Sequence, residues 1–341
     1  MKNNNFAKYI TSFFIDYLSN ERGVSHNTIR SYSNTFMQLL NYIDESKHIK
    51  AENIKLTNID KKTILGFLDW IQDVKHCSSS TRNQRLGAIL SFCRYMQYED
   101  VIHIQQWQDI LSIKIKKADR PTINYLSVEG VKLILEQVPI NTRIGRRDLA
   151  MIALLYDSGA RVQEIIDLTV NDLHLIKPCY ITLYGKGRKK RLVPLHDNQV
   201  KILKMYISEN MLDNLSANHK PLFTNKQGHK LSSAGVTFIL NRYCSNARII
   251  NSDIIPVKIT PHSLRHSKAM HLLQSGVNLV YIRDILGHVS IQTTEIYARA
   301  DSKQKREALE AAYIDIIPGV DTVKSWEKDS KLKAWLKNLG K

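Results

Sequence analysis

The sequence predicts a mainly α-helical protein with one small β-sheet, divided into an N-terminal helical domain and a larger α+β domain. Three observations carry this. Apolar residues recur at helical spacing over most of the 341 residues, a basic connector ending in proline interrupts them after residue 113, and one stretch near residues 180–195 alternates with period two about a Gly-Lys-Gly turn.

The first helix is carried by Phe6, Ile10, Phe13, Phe14, Tyr17 and Leu18, which recur at i, i+4, i+7, i+8, i+11 and i+12 until Gly23 breaks the pattern. Ser25 is the natural N-cap of a second helix, with Ile29, Tyr32, Phe36, Leu39, Leu40 and Ile43 on its apolar face. Asp60 caps a third, and Ser78-Ser79-Ser80 lead into a fourth that runs to Asp100. Four such helices pack as a small bundle over residues 1–113. Residues 114–121 form an extended basic linker: Lys114, Lys116, Lys117 and Arg120 are charged, and Pro121 forbids a continuing helix. Residues 122–317 make the second domain. In it Ser127 caps a helix, two more are broken at Ser158-Gly159, a hairpin follows with residues 185–190 at its tip, and a helix starts near His196. Leu222-Phe223-Thr224 is strand-like and precedes another helix. The tail, residues 318–341, places Trp326, Leu332, Trp335 and Leu336 at the spacing of an accessory amphipathic helix.

Lys+Arg number 49 against 32 Asp+Glu, a formal net charge of +17. A chain this basic calls for a polyanion, and nucleic acid is the first candidate. No apolar run approaches the ~20 residues of a membrane span, and the N-terminus lacks the apolar core and cleavage site of a signal peptide. Cys77, Cys93, Cys179 and Cys244 are scattered with no Cys-x-x-Cys pair, which predicts neither a disulfide framework nor a metal knuckle. The expected compartment is the reduced cytoplasm.

The densest chemistry lies between Val257 and Asp301. His262-Ser263-Leu264-Arg265-His266 comes first, then Leu286-Gly287-His288, then Tyr297, on a framework of Leu264, Met270, Leu272, Leu273, Val280, Ile282, Ile285 and Leu286. His262 and Arg265, three apart, share a helix face, and Gly287 ends a helix just before His288. His271 and Tyr281 are expected to be packing residues. His262 and His266 at i, i+4 also admit a zinc reading, but no Glu base or Cys accompanies them and an Arg stands between them. Upstream, Arg161 and Glu164 stand together at a helix start, suited to a bidentate phosphate contact with the carboxylate holding the guanidinium or a histidine. Taken alone, that pair reads better as an ordinary helical ion pair.

In order and spacing these boxes resemble the tyrosine recombinase (phage integrase) family: Gly159-Ala160-Arg161-Val162-Gln163-Glu164, a hairpin lysine at Lys186, the His-x-x-Arg-His box, Leu-Gly-His, and a tyrosine at Tyr297. The resemblance is close from about Asp148 to Arg299 and looser before it, where helix number and turns match the family's SAM-like core-binding domain. It implies a site-specific recombinase in which Tyr297 attacks a DNA phosphodiester to form a 3′-phosphotyrosine. Arg161 and Arg265 then offset the charge of the pentavalent transition state, His262 exchanges a proton with Tyr297, His288 bonds a phosphate oxygen, and Lys186 protonates the leaving 5′ oxygen. Glu164 and His266 orient these groups. A free phenol has a pKa of about 10, so the nucleophile needs such help.

Two guanidiniums stand in for metal ions, and no Gly-x-x-x-x-Gly-Lys-Ser/Thr motif is present, so no cofactor, metal or ATP is expected. Arg30, Arg82 and Arg85 at helix starts, Lys114, Lys116, Lys117 and Arg120 in the linker, and Arg188, Lys189 and Lys190 at the hairpin tip are expected to contact DNA. The resemblance further implies double-stranded DNA sites, a tetramer on two of them, and accessory recombinase or DNA-bending partners. The segment with Leu309, Ala312, Tyr313 and Ile316 is expected to dock on a neighbouring protomer. The composition and the tail favour a mobile-element integrase or transposase. A chromosome- or plasmid-dimer-resolving Xer-type enzyme, a type IB topoisomerase, a metal-dependent nuclease and a non-catalytic DNA-binding regulator are the rivals.

Overall fold

The computed structural model describes residues 5–118, 123–185, 187, 189–214 and 219–300. Arg120, Lys186, Arg188 and everything after Ala300, with the expected docking segment and tail helix, lie outside the described residues. The chain forms two compact units, Met1–Pro121 and Thr122–Lys341.

In the first unit α1 (Asn5–Ser12) runs on without a break as a π-helical stretch, Phe13–Glu21. The single regular helix expected there changes its winding halfway. The next three helices begin at their expected caps. Ser25 Oγ accepts from the Thr28 amide at the start of α2 (His26–Lys47), Asp60 Oδ1 from the Thr63 amide at 2.7 Å before α3 (Lys61–Asp73), and Ser78 Oγ from the Thr81 amide before α4 (Ser79–Glu99). A fifth helix, α5 (Ile104–Leu111), follows. Its two turns are too short for periodicity to reveal, yet it supplies Trp107, fully buried with its Nε1 donating to Asp100 Oδ2 at 3.2 Å. Phe13, Phe36 and Trp107 meet the ring of Phe92 edge-on at 5.3, 5.3 and 6.1 Å, which closes an aromatic core.

The second unit holds α6 (Val128–Glu136), α7 (Arg143–Ser158) and α8 (Val162–Asp167). A three-stranded antiparallel sheet follows, ordered β1 (Leu173–His174), β2 (Tyr180–Tyr184), β3 (Lys190–Pro194). The hairpin register pairs Ile181 with Val193 and Tyr184 with Lys190. β1 was not expected: two residues carry no alternation. The segment expected to be strand-like forms only isolated bridges, Thr169 with Pro221 and Thr224 with Lys230. The helices α9 (Asp197–Glu209), α10 (Ser233–Ile250), α11 (Pro261–Gln274), α12 (Leu279–Leu286) and α13 (Gln292–Ala300) follow among the described residues. A buried carboxylate ties α7 to α10: Asp148 accepts from Tyr243 Oη at 2.7 Å and from Arg242 at 3.0 Å, and Arg147 pairs with its other oxygen. No described helix is long and apolar enough to cross a membrane.

Two residues of α12 face the other way from the expected core. Tyr281 is 66% exposed and Val280 41%. An eight-residue helix with one buried stripe, here Ile282 and Leu286 flanked by partly buried Leu279 and Ile285, leaves Val280 and Tyr281 on its outer face.

Candidate active site

The site is built where two helices end and two begin. Gly159 closes α7 with φ +56°, and a Cβ there would stand 2.8 Å from the Leu286 side chain. That close approach sets the end of α7 against the end of α12. Gly287, at φ +64°, closes α12. Thr260 caps α11 and Pro261 occupies its first turn, which brings His262, Arg265 and His266 to the same place.

Three arginines converge on the C-terminus of α12. Arg191 Nε donates to the Ile285 carbonyl at 2.9 Å, a terminal nitrogen of Arg265 to Leu286 at 2.7 Å, and one of Arg161 to Gly287 at 3.3 Å. Carbonyls at a helix end have no intrahelical partner and carry the negative end of the dipole, so they attract cations. Glu164 answers two of the three. Its Oε1 accepts from Arg161 and from Arg191 at 2.9 Å each, and its Oε2 from Arg191 at 2.6 Å and from the Arg161 amide at 2.8 Å. Burial raises the Glu164 carboxyl, and the bonds and charges of Arg191 and Arg161 outweigh it, holding the group below its ordinary range. Three guanidiniums against one carboxylate leave a formal +2 (3 − 1), a surplus that favours anions.

Arg265 is 1% exposed and its second terminal nitrogen donates to the Gly159 carbonyl at 2.7 Å. Burial, then the charge of Arg161, lowers it to about 10, and it stays cationic at neutral pH. Its Nε is buried with no partner among the described residues.

Tyr297 is 1% exposed on α13, and its hydroxyl lies 2.9 Å from His266 Nδ1. The expected partner was His262, with His266 behind it. In the structure the order is reversed: His262 is exposed, and its ring meets that of His266 edge-on at 4.3 Å. One turn of α11 separates the two, and packing of α13 against α11 selects the second. The His288 ring lies nearly parallel to Tyr297 at 6.4 Å, and its Nδ1 is 2.9 Å from Thr294 Oγ1. Burial, reinforced by His262 and Arg265, lowers His266 to about 4; burial with Arg265 and Arg161 does the same to His288. His262, exposed at its outer edge, is lowered by desolvation where its ring meets His266 and by the charges of Arg265 and Arg161. All three rings are therefore neutral at pH 7, able to accept as well as donate. Burial pushes the Tyr297 phenol up, against the pull of Arg265 and Arg161.

A cleft of about 500 Å³ opens beside this cluster, walled by Arg161, Arg191, His288, Lys189, Lys190 and Arg283 among others. Arg161 and His288 thus reach it, whereas His262, Arg265 and Tyr297 are not in its wall. Gly185 and Lys189 line it on either side of the hairpin tip. Of the expected DNA contacts, Lys189 and Lys190 are exposed there. In the first unit Arg30, Lys114, Lys116 and Lys117 are exposed, although Lys116 is held by Asn83 through both backbone groups and its Nζ donates to Gln72. Arg82 and Arg85 depart from expectation. Arg82 is only 3% exposed, and Arg85 donates to the Ser31 carbonyl and Thr35 Oγ1 of α2. On a long helix packed by neighbours, a basic side chain near the start can fall on the inner face. His271 is structural as expected, its Nδ1 2.8 Å from Tyr156 Oη. Sequence reasoning missed Arg191 and Thr294: one looks like any basic residue of a basic hairpin, the other like any helical threonine.

Known proteins match nearly the whole chain. The phage integrase family model fits residues 124–304, and the phage integrase N-terminal SAM-like domain fits residues 12–100. A putative integrase/recombinase, y4rC of Sinorhizobium fredii, is 32% identical over 338 residues, 99% of either chain. Tyrosine recombinase XerD of Oceanobacillus iheyensis is 34% identical over 303 residues, 88% of this chain and 96% of that one. Two solved structures share the fold. The XerH site-specific recombinase bound to palindromic difH substrate, a post-cleavage complex, has a TM-score of 0.66 at 23% identity, covering 85% of this chain and 81% of that one. The Tn1549 transposon integrase in complex with transposon right end DNA has a TM-score of 0.65 at 16% identity, covering 88% and 98%. A buried tyrosine beside histidines and clustered arginines, on a chain matched along both its units, places the protein in the phage integrase family as a tyrosine-type site-specific recombinase, an enzyme that breaks and rejoins DNA strands.

Proposed function

We propose that this recombinase integrates or transposes a mobile genetic element, using Tyr297 as its nucleophile. The observation that carries the chemistry is the Tyr297 hydroxyl, bonded to a neutral imidazole beside a guanidinium cluster with surplus positive charge. The phenolic oxygen bonds to phosphorus and the bond to the 5′ oxygen breaks. The phenolic proton passes to the His262–His266 pair, and the arriving phosphate anion raises the basicity of that pair by offsetting the arginines. Arg161, Arg265 and His288 stabilise the charge that develops on the non-bridging oxygens. Lys186 gives its proton to the departing 5′ oxygen, which leaves as a hydroxyl. The covalent link retains the bond energy for religation by another strand.

The integrase reading is supported by y4rC, a putative integrase/recombinase whose match covers 99% of both chains, whereas the XerD match leaves about an eighth of this chain uncovered. XerD is nevertheless as similar in sequence, so dimer resolution is the second reading. The enzyme works in the cytoplasm as a tetramer on two DNA sites. Exposed Arg30, Lys114, Lys117, Lys189 and Lys190 contact phosphates, as do Arg120 and Arg188.

The test is covalent trapping. A duplex is selected from a randomised library by binding to the protein, nicked near the cleavage position, and incubated with it in EDTA. A denaturation-resistant adduct mapping to Tyr297 is expected. Tight binding with no adduct would instead identify a non-catalytic regulator, and an adduct-free cut that EDTA abolishes would identify a nuclease.

A further inference from the structure

Arg191 lies on β3, outside the residues that carry the chemistry, yet it touches three of the segments that hold them. Its guanidinium is bidentate to Glu164, at 2.9 and 2.6 Å, and its Nε bonds the Ile285 carbonyl at 2.9 Å. A Cβ on Gly287 would stand 2.9–3.1 Å from its Nη1, Cδ and Cζ, so the turn before His288 is folded directly over it. A Cβ on Gly185 would lie 3.7 Å from both its Nη1 and Glu164 Oε1, so the start of the hairpin tip rests on the same pair. Its side chain is 10% exposed and that of Glu164 5%, whereas Arg161 is 38% exposed.

The geometry is one that only arginine supplies. Two donors leave the guanidinium in parallel for a carboxylate, and the third leaves at an angle for a carbonyl. Lysine carries its three donors on one nitrogen and cannot span both carboxylate oxygens and the Ile285 carbonyl in this geometry. With its paired donors on Glu164, Arg191 does not present its fork to a phosphate. Arg161 does have a face on the cleft, and its position depends on Glu164 through both its side chain and its amide.

We infer that Arg191 is a positioning residue for strand cleavage: it fixes Glu164 and the Gly287–His288 turn, and through Glu164 it aims Arg161 at the scissile phosphate. This rests on the recombinase reading of the site. Without Arg191, Glu164 keeps one cationic partner and draws Arg161 back from the cleft, and the turn bearing His288 loses the group it is folded over.

A double-mutant cycle tests it. Arg191→Lys, Arg161→Lys and the pair are compared with the unmodified full chain on the library-selected nicked duplex. Adduct rate and DNA affinity are measured separately, with thermal unfolding as a check on folding. Misplacement of a reacting group by about 1 Å costs on the order of 100-fold, so Arg191→Lys is expected to slow adduct formation by about that factor while affinity changes by less than about threefold. Because part of its effect passes through Arg161 and part through the Gly287–His288 turn, the double variant is expected to be slower than Arg161→Lys alone by much less than the factor Arg191→Lys costs in the unmodified protein. Losses that multiply would overturn the inference, as would adduct rate and affinity falling in parallel. Arg191→Gln, with one amide nitrogen, a shorter reach and no charge, is expected to slow adduct formation at least as much as Arg191→Lys if both fold; a near-normal rate in either folded variant would overturn the inference. An unmodified protein that forms no adduct would fail the recombinase reading itself, a different outcome from any of these.

Discussion

The Tyr297 hydroxyl lies 2.9 Å from His266 Nδ1, with the tyrosine side chain 1% exposed. The proposed nucleophile is thus held inside the second unit by a histidine one helical turn beyond the one expected, and attack on DNA requires its hydroxyl to come into the open. Tyr297→Phe keeps the ring and removes that bond. It is expected to form no adduct, bind DNA normally and lose only about 1 kcal/mol of stability, the net worth of one hydrogen bond. Adduct gels and a denaturant titration check the two parts, and an adduct that survives the change removes Tyr297 from its role.

Stability should fall in mild acid. His266 and His288 are lowered from 6.5 to about 4 by burial and nearby cations. Between those values the unfolded chain takes up protons that the folded one excludes, so their contribution is complete above pH 6.5 and is lost as pH falls toward 4. The thermal midpoint followed from pH 7 to 4 is expected to drop, and to drop less steeply in His288→Asn. An unchanged slope in that variant would mean that His288 is not the group being protonated.

Thr294 is fully buried and its Oγ1 sits 2.9 Å from His288 Nδ1. Thr294→Val preserves shape and deletes the bond. Loss of one orienting hydrogen bond, about 1 kcal/mol, corresponds to roughly a fivefold slower adduct rate, with affinity unchanged. Single-turnover kinetics would show it.

Gly287→Ala puts a Cβ at φ +64° and within 3.1 Å of the Arg191 guanidinium. The left-handed backbone alone costs about 1–2 kcal/mol for a residue with a side chain. The variant is expected to unfold earlier and to lose cleavage beyond that, because its new methyl pushes on Arg191. Cleavage at the unmodified rate in a folded Gly287→Ala protein would argue that the turn tolerates displacement.

Lys186 belongs to the hairpin whose flanking Gly185 and Lys189 line the cleft. Lys186→Ala is expected to slow cleavage by about 100-fold, within the range of general acid catalysis, while DNA affinity stays within about twofold. Equal losses in gel-shift affinity and adduct rate would make it a phosphate contact.

The helix caps show how much was legible in one dimension. Ser25, Asp60, Ser78 and Ser127 each accept from the amide two or three residues into the helix they were expected to start. Gly159 and Gly287 end helices where the pattern stopped. These are contacts within a few residues, and local chemistry decides them. The brevity of α5 and β1 hid them, and the exposure of Tyr281 depended on which face of α12 found a neighbour.

The sequence by itself determined the family, the helical two-unit plan, and which residue types gather around Tyr297, because motif order and spacing are properties of the chain. Only the tertiary structure decided that His266 holds Tyr297, that Arg265 and Arg161 cap the end of α12, and that Arg191 shares Glu164. Those partners lie 21 to 126 residues apart. Choosing among several histidines and many arginines at that distance depends on which helix ends pack together, and the pattern along a single element does not contain that information.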